Sequence, residues 1–216
     1  MRVTRPAPRN PAPQLRRRIV GGLAATLALP MFVRGALAQA TLRPTPAQTE
    51  GPFYPVTLPD DTDFDLLAQG KLRYTRGTAT WLAGTVTDTA SRALSGAVVE
   101  IWQCDQQGHY HHPGDGGNAD PAFQGFGRVV TGSDGSYRFR TIRPAPYSGR
   151  TPHIHVKVKL AQRELLTTQL YVEGDPGNER DGLWRRLSAA DRAAITVPFQ
   201  PAADGLQARF AIIVNA

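Results

Sequence analysis

All five histidines of the chain fall in two short clusters, and each cluster lies beside a tyrosine. The first cluster surrounds Tyr110 and consists of His109, His111 and His112. The second cluster, His153 and His155, follows Tyr147 in the run RPAPYSGRTPHIH. Side chains two residues apart on an extended strand project from the same face, so the two histidines of the second cluster point the same way. Imidazole nitrogens and phenol oxygens together form a ligand set that suits a hard, oxidising ion such as Fe(III).

The elements that must position these side chains have the pattern of a β protein. Ile154, Val156, Val158 and Leu160 alternate with the two histidines and are predicted to face the buried side. Runs of β-forming residues between Gly- and Pro-rich turns predict these strands: WLAGTVTD, GAVVEIWQCD, GRVVTG, SYRFRTI, HIHVKVKL, LTTQLYV and ARFAIIV. Only the capping-box sequence at residues 188–191 predicts a helix. We therefore predict an all-β fold, an antiparallel β-sandwich with long irregular loops and one short helix.

The net charge of +7 is confined to the start of the chain. Residues 1–38 contain seven of the 25 basic residues and none of the 18 acidic ones, so the remainder is formally neutral. A neutral body argues against nucleic acid as a partner. We expect an export signal peptide over residues 1–38, an extended N-terminal arm over 39–79 and a β-sandwich domain over 80–216.

The first 38 residues have the layout of an export signal. Three arginines at 16–18 precede the apolar run IVGGLAATLALPMFV, which ends shortly before the small-residue sequence Ala-Leu-Ala at 36–38. This run is shorter than the roughly 20 apolar residues that a membrane span needs. The paired arginines favour the twin-arginine form of signal and a periplasmic location, with an ordinary secretory signal or an uncleaved anchor as alternatives.

Three further features have plain structural interpretations. Cys104 is the only cysteine, so it can form no disulfide within the chain, and we expect a partly buried strand residue. The acidic run at 60–65 is interpreted as a solvated loop, with a calcium site as the weaker alternative. The three histidines around Tyr110 are interpreted as surface groups or neighbours of the site rather than as ligands.

Five segments follow one another in an order that is typical of one enzyme family. They are TEGPFYP (49–55), GAVVEIWQCDQQGHYHH (96–112), DPAFQGFGRVVTGSDGSYRFRTIRPAPY (120–147), RTPHIHVKV (150–158) and TQLYVEGDP (168–176). In these segments the chain resembles the intradiol ring-cleavage dioxygenases, specifically the short, single-domain protocatechuate 3,4-dioxygenase type. The resemblance covers nearly all of residues 49–184 and implies a β-sandwich, in agreement with the strand pattern.

The resemblance also implies roles for individual residues. The implied ligands of a non-haem Fe(III) ion are Tyr110, Tyr147, His153 and His155. Arg150 and Gln169 match the family's active-site arginine and glutamine, which would stabilise developing negative charge. Tyr147 matches the tyrosinate that substrate displaces, and it would then take up a substrate proton. A free phenol has a pKa of about 10, so tyrosine binds as an anion only beside a strong Lewis acid.

The reaction that the resemblance implies is cleavage of a catechol ring by O2 to a cis,cis-muconate-type diacid. Only a short loop separates Tyr147 from His153, and it has Ser148-Gly149 where the best-known members have a longer loop. The ring substituent therefore stays open among catechol, protocatechuate, a hydroxyquinol and a larger lignin-type phenol. Assembly stays open as well, with a homo-oligomer as one option.

Two other classes of protein compete with this interpretation. One is an exported β-sandwich module that binds a metal or an aromatic ligand without turnover, which would be expected to lack one of the four ligands. The other is a zinc or copper protein that uses the same histidines. Such a site would more naturally carry a third histidine or a carboxylate than two phenols. For Arg150, the alternative is a simple salt-bridge partner.

Overall fold

The computed structural model describes Met1 and residues 42–216, so the export signal expected over 1–38 lies, apart from Met1, outside the described residues. Its strands are β1 (Ala68–Gln69), β2 (Leu72–Arg73), β3 (Ala79–Asp88), β4 (Val98–Trp102), β5 (Phe126–Val130), β6 (Ser136–Ile142), β7 (His153–Leu160), β8 (Arg163–Val172), β9 (Thr196–Val197), β10 (Gln200–Ala202), β11 (Gly205–Arg209) and β12 (Ile212–Val214). The α-helices are α1 (Gly182–Arg185) and α2 (Ala189–Ile195), and single 3-10 turns lie at Pro113–Asp115 and Asn178–Arg180.

Two five-stranded sheets form the body of the fold. The first has the order β10-β11-β3-β12, with β6 also paired to β3, and the second has the order β5-β4-β7-β8-β9. Most neighbouring strands are antiparallel, but β11 and β12 run parallel to β3, and β9 runs parallel to β8. The predicted all-β sandwich is confirmed, with these parallel pairings as features that the strand pattern did not predict.

The core follows the alternation of side chains along the strands. On β7, Ile154, Val156 and Val158 belong to one hydrophobic cluster with Leu82 of β3 and Phe139 of β6. The inward face predicted for β7 is therefore correct at these three positions. Leu160, at the end of the strand, was also predicted to face inward, but it is only half-buried and packs against the edge of the cluster.

The opposite face of β7 is buried too, because residues 45–54, here called the strap, lie over the second sheet. The Gln48 N–H donates to the Thr167 carbonyl of β8 over 2.9 Å. At the start of the strap, the Thr45 N–H donates to the Ile213 carbonyl, and the Ile213 N–H donates to Thr45 Oγ1, each over 2.9 Å. The histidine face of β7 is therefore covered by chain rather than by solvent.

The helices lie between β8 and β9. Ser188 Oγ accepts the N–H of Asp191 at the start of α2, which confirms the predicted helix and the serine half of its capping box. A helix that the sequence analysis did not predict, α1, begins after Asp181, whose carboxylate accepts the N–H groups of Leu183 and Trp184. A single turn is too short to leave a periodic pattern in the sequence. Among the described residues, no helix is long and apolar enough to cross a membrane.

Candidate metal centre

His153 and His155 project from β7 toward the strap, and their Nε2 atoms lie 3.2 Å apart. The Thr151 carbonyl lies 2.6 Å from His153 Nδ1, which assigns the ring proton to Nδ1 and leaves a lone pair on Nε2. The His155 ring stacks on Trp102, with centroids 4.8 Å apart and an interplanar angle of 10°. Two imidazole nitrogens thus converge on one point, with their rings held by a backbone carbonyl and an indole.

The two tyrosines reach the same point from loops on either side. Tyr110 follows β4, Tyr147 lies between β6 and β7, and their rings meet edge to face at a centroid distance of 5.0 Å. The Tyr147 ring is 5.4 Å from that of His153, and the Tyr110 ring is 6.1 Å from that of His155. Asp115 holds the Tyr110 loop in place, because its carboxylate accepts the Tyr110 N–H over 2.6 Å. The structure therefore brings all four expected ligands together.

Burial keeps these four groups neutral in the absence of a cation. It raises the pKa of Tyr110 well above the ordinary value and also raises the pKa of Tyr147, although Arg150 opposes the second shift. Burial, with Arg150 nearby, lowers the pKa of His153 to about 4. Burial and the neighbouring His153 lower the pKa of His155 well below its usual range.

The chemistry of this donor set fits a highly charged cation. Tyr110 is 2% exposed, and within the described residues its phenol oxygen makes no hydrogen bond of good geometry, although it faces the phenol of Tyr147. An unpaired buried hydroxyl is unfavourable, and a hard cation that turned it into a phenolate would remove that penalty. Two neutral imidazoles and two phenolates offer nitrogen and hard anionic oxygen, the donors that ferric iron accepts.

Arg150 and Gln169 are adjacent, as the sequence analysis expected of two residues of one site. Arg150 Nη2 donates to Gln169 Oε1 over 2.6 Å, and its Nε donates to Asp181 Oδ2 over 2.7 Å. Gln169 is fully buried, and its Nε2 donates to the Thr49 carbonyl of the strap over 2.9 Å. Arg150 thus borders the site, and it also forms a salt bridge, which was the alternative interpretation of this residue. Gln169 lies behind Arg150 and links it to the strap.

The sequence analysis gave no role to Asp181, whose carboxylate holds both the start of α1 and the segment at Arg150 and Thr151. One carboxylate oxygen caps α1, and the other accepts from Arg150 Nε and from the Thr151 N–H. Its side chain is completely buried. The one available signal was the turn-rich sequence GDPGNERDG, in which an aspartate precedes a short helix.

The strap also contributes residues to which the sequence analysis gave no role. Phe53 stacks on Tyr110 at a centroid distance of 4.7 Å and meets Tyr147 edge-on at 5.8 Å. A Cβ added at Gly51 would meet the His155 ring at 3.2 Å, so the strap passes close to this histidine. The motif TEGPFYP was the signal for these contacts, but its position over the site depends on long-range packing. Part of the segment expected to be an extended arm therefore forms the cover of the site.

The remaining histidines lie outside the four-residue cluster. His111 Nε2 is 2.5 Å from the Phe123 carbonyl, and His112 Nδ1 accepts the Gly114 N–H over 3.0 Å. His109 is paired with Asp115 over 3.6 Å. These contacts engage one ring nitrogen of each histidine within or beside the loop that carries Tyr110.

Cys104 and the acidic run have structural surroundings. Cys104 lies just beyond β4 rather than within a strand, and it is fully rather than partly buried. Burial raises the pKa of its thiol to about 12, so the thiol stays protonated. In the acidic run, the carboxylates of Asp61, Asp63 and Asp65 each accept the N–H two residues further on. These are loop turns in which the carboxylates are already used.

Comparisons with known proteins identify the family to which this two-sheet fold and its cluster of histidines and tyrosines belong. The family model described as dioxygenase matches residues 49–210. The dioxygenase domain of a dioxygenase carbohydrate-binding protein fusion from Streptomyces sp. SirexAA-E is 32% identical, with a TM-score of 0.65 over 81% of this chain and 99% of that one. The chain belongs to the intradiol ring-cleavage dioxygenase family, whose members are oxidoreductases.

The curated relatives are named after different substrates. Hydroxyquinol 1,2-dioxygenase of Corynebacterium glutamicum is 33% identical over 61% of this chain and 47% of its own length. The protocatechuate 3,4-dioxygenase beta chain of Burkholderia cepacia is 36% identical over 51% of this chain and 52% of its own length. The chain therefore spans about half the length of the curated relatives that it matches.

Proposed function

We propose that the chain is a non-haem Fe(III) intradiol dioxygenase that cleaves a catechol with O2 to a cis,cis-muconate-type diacid. The observation that carries the proposal is the convergence of two buried imidazole nitrogens, 3.2 Å apart, beside a buried phenol oxygen without a partner among the described residues. The reaction breaks the carbon–carbon bond between the two hydroxyl-bearing carbons and adds both atoms of O2. The diacid therefore contains every atom of both reactants.

Four residues would hold the iron: Tyr110, Tyr147, His153 and His155. When bound, ferric iron would supply the positive charge that stabilises phenolate and catecholate oxygens and the redox centre that makes the ring reactive toward O2. The alternative metals, zinc and copper, are not favoured by two phenols, and within the described residues no cluster of three or more His, Cys, Asp or Glu offers another centre.

Tyr147 is the ligand best suited to leave and to accept a proton. Its ring is half-buried and borders an open cavity, whereas Tyr110 is almost completely buried under Phe53. Displacement of Tyr147 by the substrate therefore requires little rearrangement of the core. Its Oη, once released as a phenolate, accepts a proton from a catechol hydroxyl.

Arg150 is suited to stabilise negative charge that develops on the substrate. Its guanidinium is held on one side by Asp181 and on the other by Gln169. A cation that is already oriented needs no reorganisation during the reaction, which is the condition for effective electrostatic stabilisation. Above the site, Phe53 and the strap backbone exclude water from the ligands.

A visible absorption spectrum of the iron-loaded protein, with and without catechol in the absence of O2, tests this proposal. We expect a broad tyrosinate-to-iron band that shifts to longer wavelength with catechol and weakens strongly in Tyr110→Phe. Admission of O2 should then produce the diacid. A protein with full iron occupancy and no such band would contradict the proposal, and a band with bound catechol but no product would favour a binding module without turnover.

We also propose that the chain is exported through a twin-arginine signal. The basic and apolar layout of residues 1–38 supports this proposal. Replacing Arg16 and Arg17 by lysine should retain the protein in the cytoplasmic fraction of the producing cell, as measured by fractionation and immunoblotting. Export of that variant at the original rate would contradict a twin-arginine signal.

A further inference from the structure

A cavity of about 520 Å³ beside the candidate centre is rich in arginine. Its lining includes Tyr147 and Arg150 together with Arg143, Asp175 and Arg180. The cavity therefore borders the centre at Tyr147, the ligand that is expected to leave. Its volume is several times that of a benzene ring, which leaves room for a substituent beyond the ring.

The charges of this cavity do not cancel. Arg143 pairs with Asp175 over 3.1 Å, and Arg150 pairs with Asp181 over 2.7 Å. Arg180 lies on the exposed 3-10 turn after the loop at 174–177, and among the described residues its side chain makes no ion pair. Three guanidinium groups thus face two carboxylates, and the excess positive charge lies on the outer side of the cavity.

The loop between Tyr147 and Arg150 leaves the path into the cavity open. Ser148 and Gly149 are small and exposed, and a Cβ added at Gly149 would meet no atom within 4 Å. Both residues have positive φ, at 42° and 76°, so the loop turns tightly instead of extending over the cavity. The short loop noted in the sequence thus leaves the entrance to the cavity uncovered.

We propose that this cavity receives a carboxylate at the end of a short arm on the catechol ring, and that Arg180 and Arg143 select for it. The proposal rests on the proposed function, because it places the catechol ring at the metal centre. Both arginines line the same cavity as Tyr147, and neither belongs to the expected ligand set, so they are available to a substituent of a ring that is held at the centre. A guanidinium binds a carboxylate through two parallel hydrogen bonds, which gives the preference both strength and direction.

Anaerobic titration of the iron-loaded protein with a matched pair of ligands tests this inference. Dihydrocaffeate carries a carboxylate two carbons from the catechol ring, and its methyl ester has the same arm without the charge. The shift of the visible band gives Kd for each. We expect dihydrocaffeate to bind about tenfold more tightly than the ester, the scale of one charge-assisted hydrogen bond. The preference should shrink as ionic strength rises.

Arg180→Gln should reduce that ratio to about two, and Arg143→Gln should reduce it less, because Asp175 already neutralises Arg143. Arg163→Gln is the matched control: it removes an exposed arginine at the start of β8, and the ratio should stay at about ten. A ratio near one in the unmodified protein, or a ratio unchanged in Arg180→Gln, would overturn the inference. If unsubstituted catechol still shifts the band, only the inference about the carboxylate fails and the proposed function stands. If neither catechol nor dihydrocaffeate shifts the band, the inference and the proposed function both fail.

Discussion

A Cβ atom on Gly51 would lie 3.2 Å from Cε1 of His155, so the strap passes close enough to an expected ligand that a side chain at position 51 would crowd it. Gly51 has a φ of 74°, a backbone conformation that glycine adopts at little cost and other residues rarely adopt. The strap thus leaves little room between its main chain and the imidazole. The close approach and the positive φ together favour glycine at position 51.

Replacement of Gly51 by alanine should therefore have two effects. The positive φ and the close contact together should lower the free energy of unfolding by about 1–3 kcal/mol, and displacement of His155 should weaken iron binding. Urea unfolding and iron content measure the two effects. Gly96→Ala is the matched control, because Gly96 has a φ of 73° and nothing within 4 Å of an added Cβ. Equal destabilisation of the two variants with unchanged iron content would show that the contact with His155 is unimportant.

Two buried tyrosines offer a second comparison in the iron-free protein. Tyr137 Oη donates to the Phe210 carbonyl over 2.6 Å, whereas the Tyr110 oxygen has no partner among the described residues. Tyr137→Phe should lower the free energy of unfolding by about 1–3 kcal/mol, because it leaves a buried carbonyl unpaired. Tyr110→Phe should leave it nearly unchanged, because only a poorly aligned contact with the Tyr147 phenol is lost. Equal losses in urea unfolding would contradict the assignment of Tyr110 as an unpaired group.

Asp181→Asn should destabilise the fold and disturb Arg150. Removing the charge of a buried ion pair leaves Arg150 without its counterion, and we expect a loss of about 3 kcal/mol at neutral pH. Turnover should fall through kcat more than through KM, because Arg150 would lose its fixed orientation. Steady-state kinetics with catechol measures this split. A change in KM alone would indicate that Asp181 affects substrate access instead.

The stability difference between the unmodified chain and its Asp181→Asn variant should also depend on pH. Burial alone would raise the pKa of Asp181, but the Trp184 N–H and the Arg150 guanidinium hold it below the ordinary value. An unfolded aspartate titrates at about 4, so the stabilisation is complete above that pH and is lost as the pH falls through the folded pKa. Urea unfolding at decreasing pH should show the difference shrinking below about pH 4. A difference that grew on acidification would reverse the expected sign.

Much of the fold could be predicted from the sequence because strand alternation is a local pattern. Ile154, Val156 and Val158 alternate with His153 and His155, and the structure separates the two sets onto opposite faces of β7. The same alternation cannot reveal what covers the second face. Its cover comes from a segment far earlier in the chain, and no periodicity links the two segments.

The parts of the site that could not be predicted depend on contacts distant in the sequence. Asp181 meets Arg150 because the loop after β8 folds back beside the start of β7, and Phe53 meets Tyr110 because the strap lies over the sheet. The motifs that contain these residues were visible in the sequence. Their roles were not, because an aspartate in a turn and a phenylalanine in an irregular segment have many other uses.

The ion pair between Lys157 and Glu50 is expected to hold the strap against the second sheet. Lys157 has a side chain that is 6% exposed, and it pairs with Glu50 of the strap and, over 3.4 Å, with Glu164 of β8. Glu50→Gln should loosen the strap and speed hydrogen exchange of the Gln48 amide by about fivefold, the scale of roughly 1 kcal/mol. Glu164→Gln is the matched control, since it removes a carboxylate from the same lysine but not from the strap. Equal acceleration in both variants would locate the effect in Lys157 itself.

The mutual hydrogen bonds between Thr45 and Ile213 have a consequence for the order of assembly. The strap is synthesised before every strand of the two large sheets, whereas β12, which fastens its first residue, follows all the other strands in the sequence. The start of the strap therefore cannot be fastened until β12 has been synthesised. A chain that stopped short of residue 213 would contain every residue expected to bind iron and substrate, yet it would lack this fastening at the start of the strap.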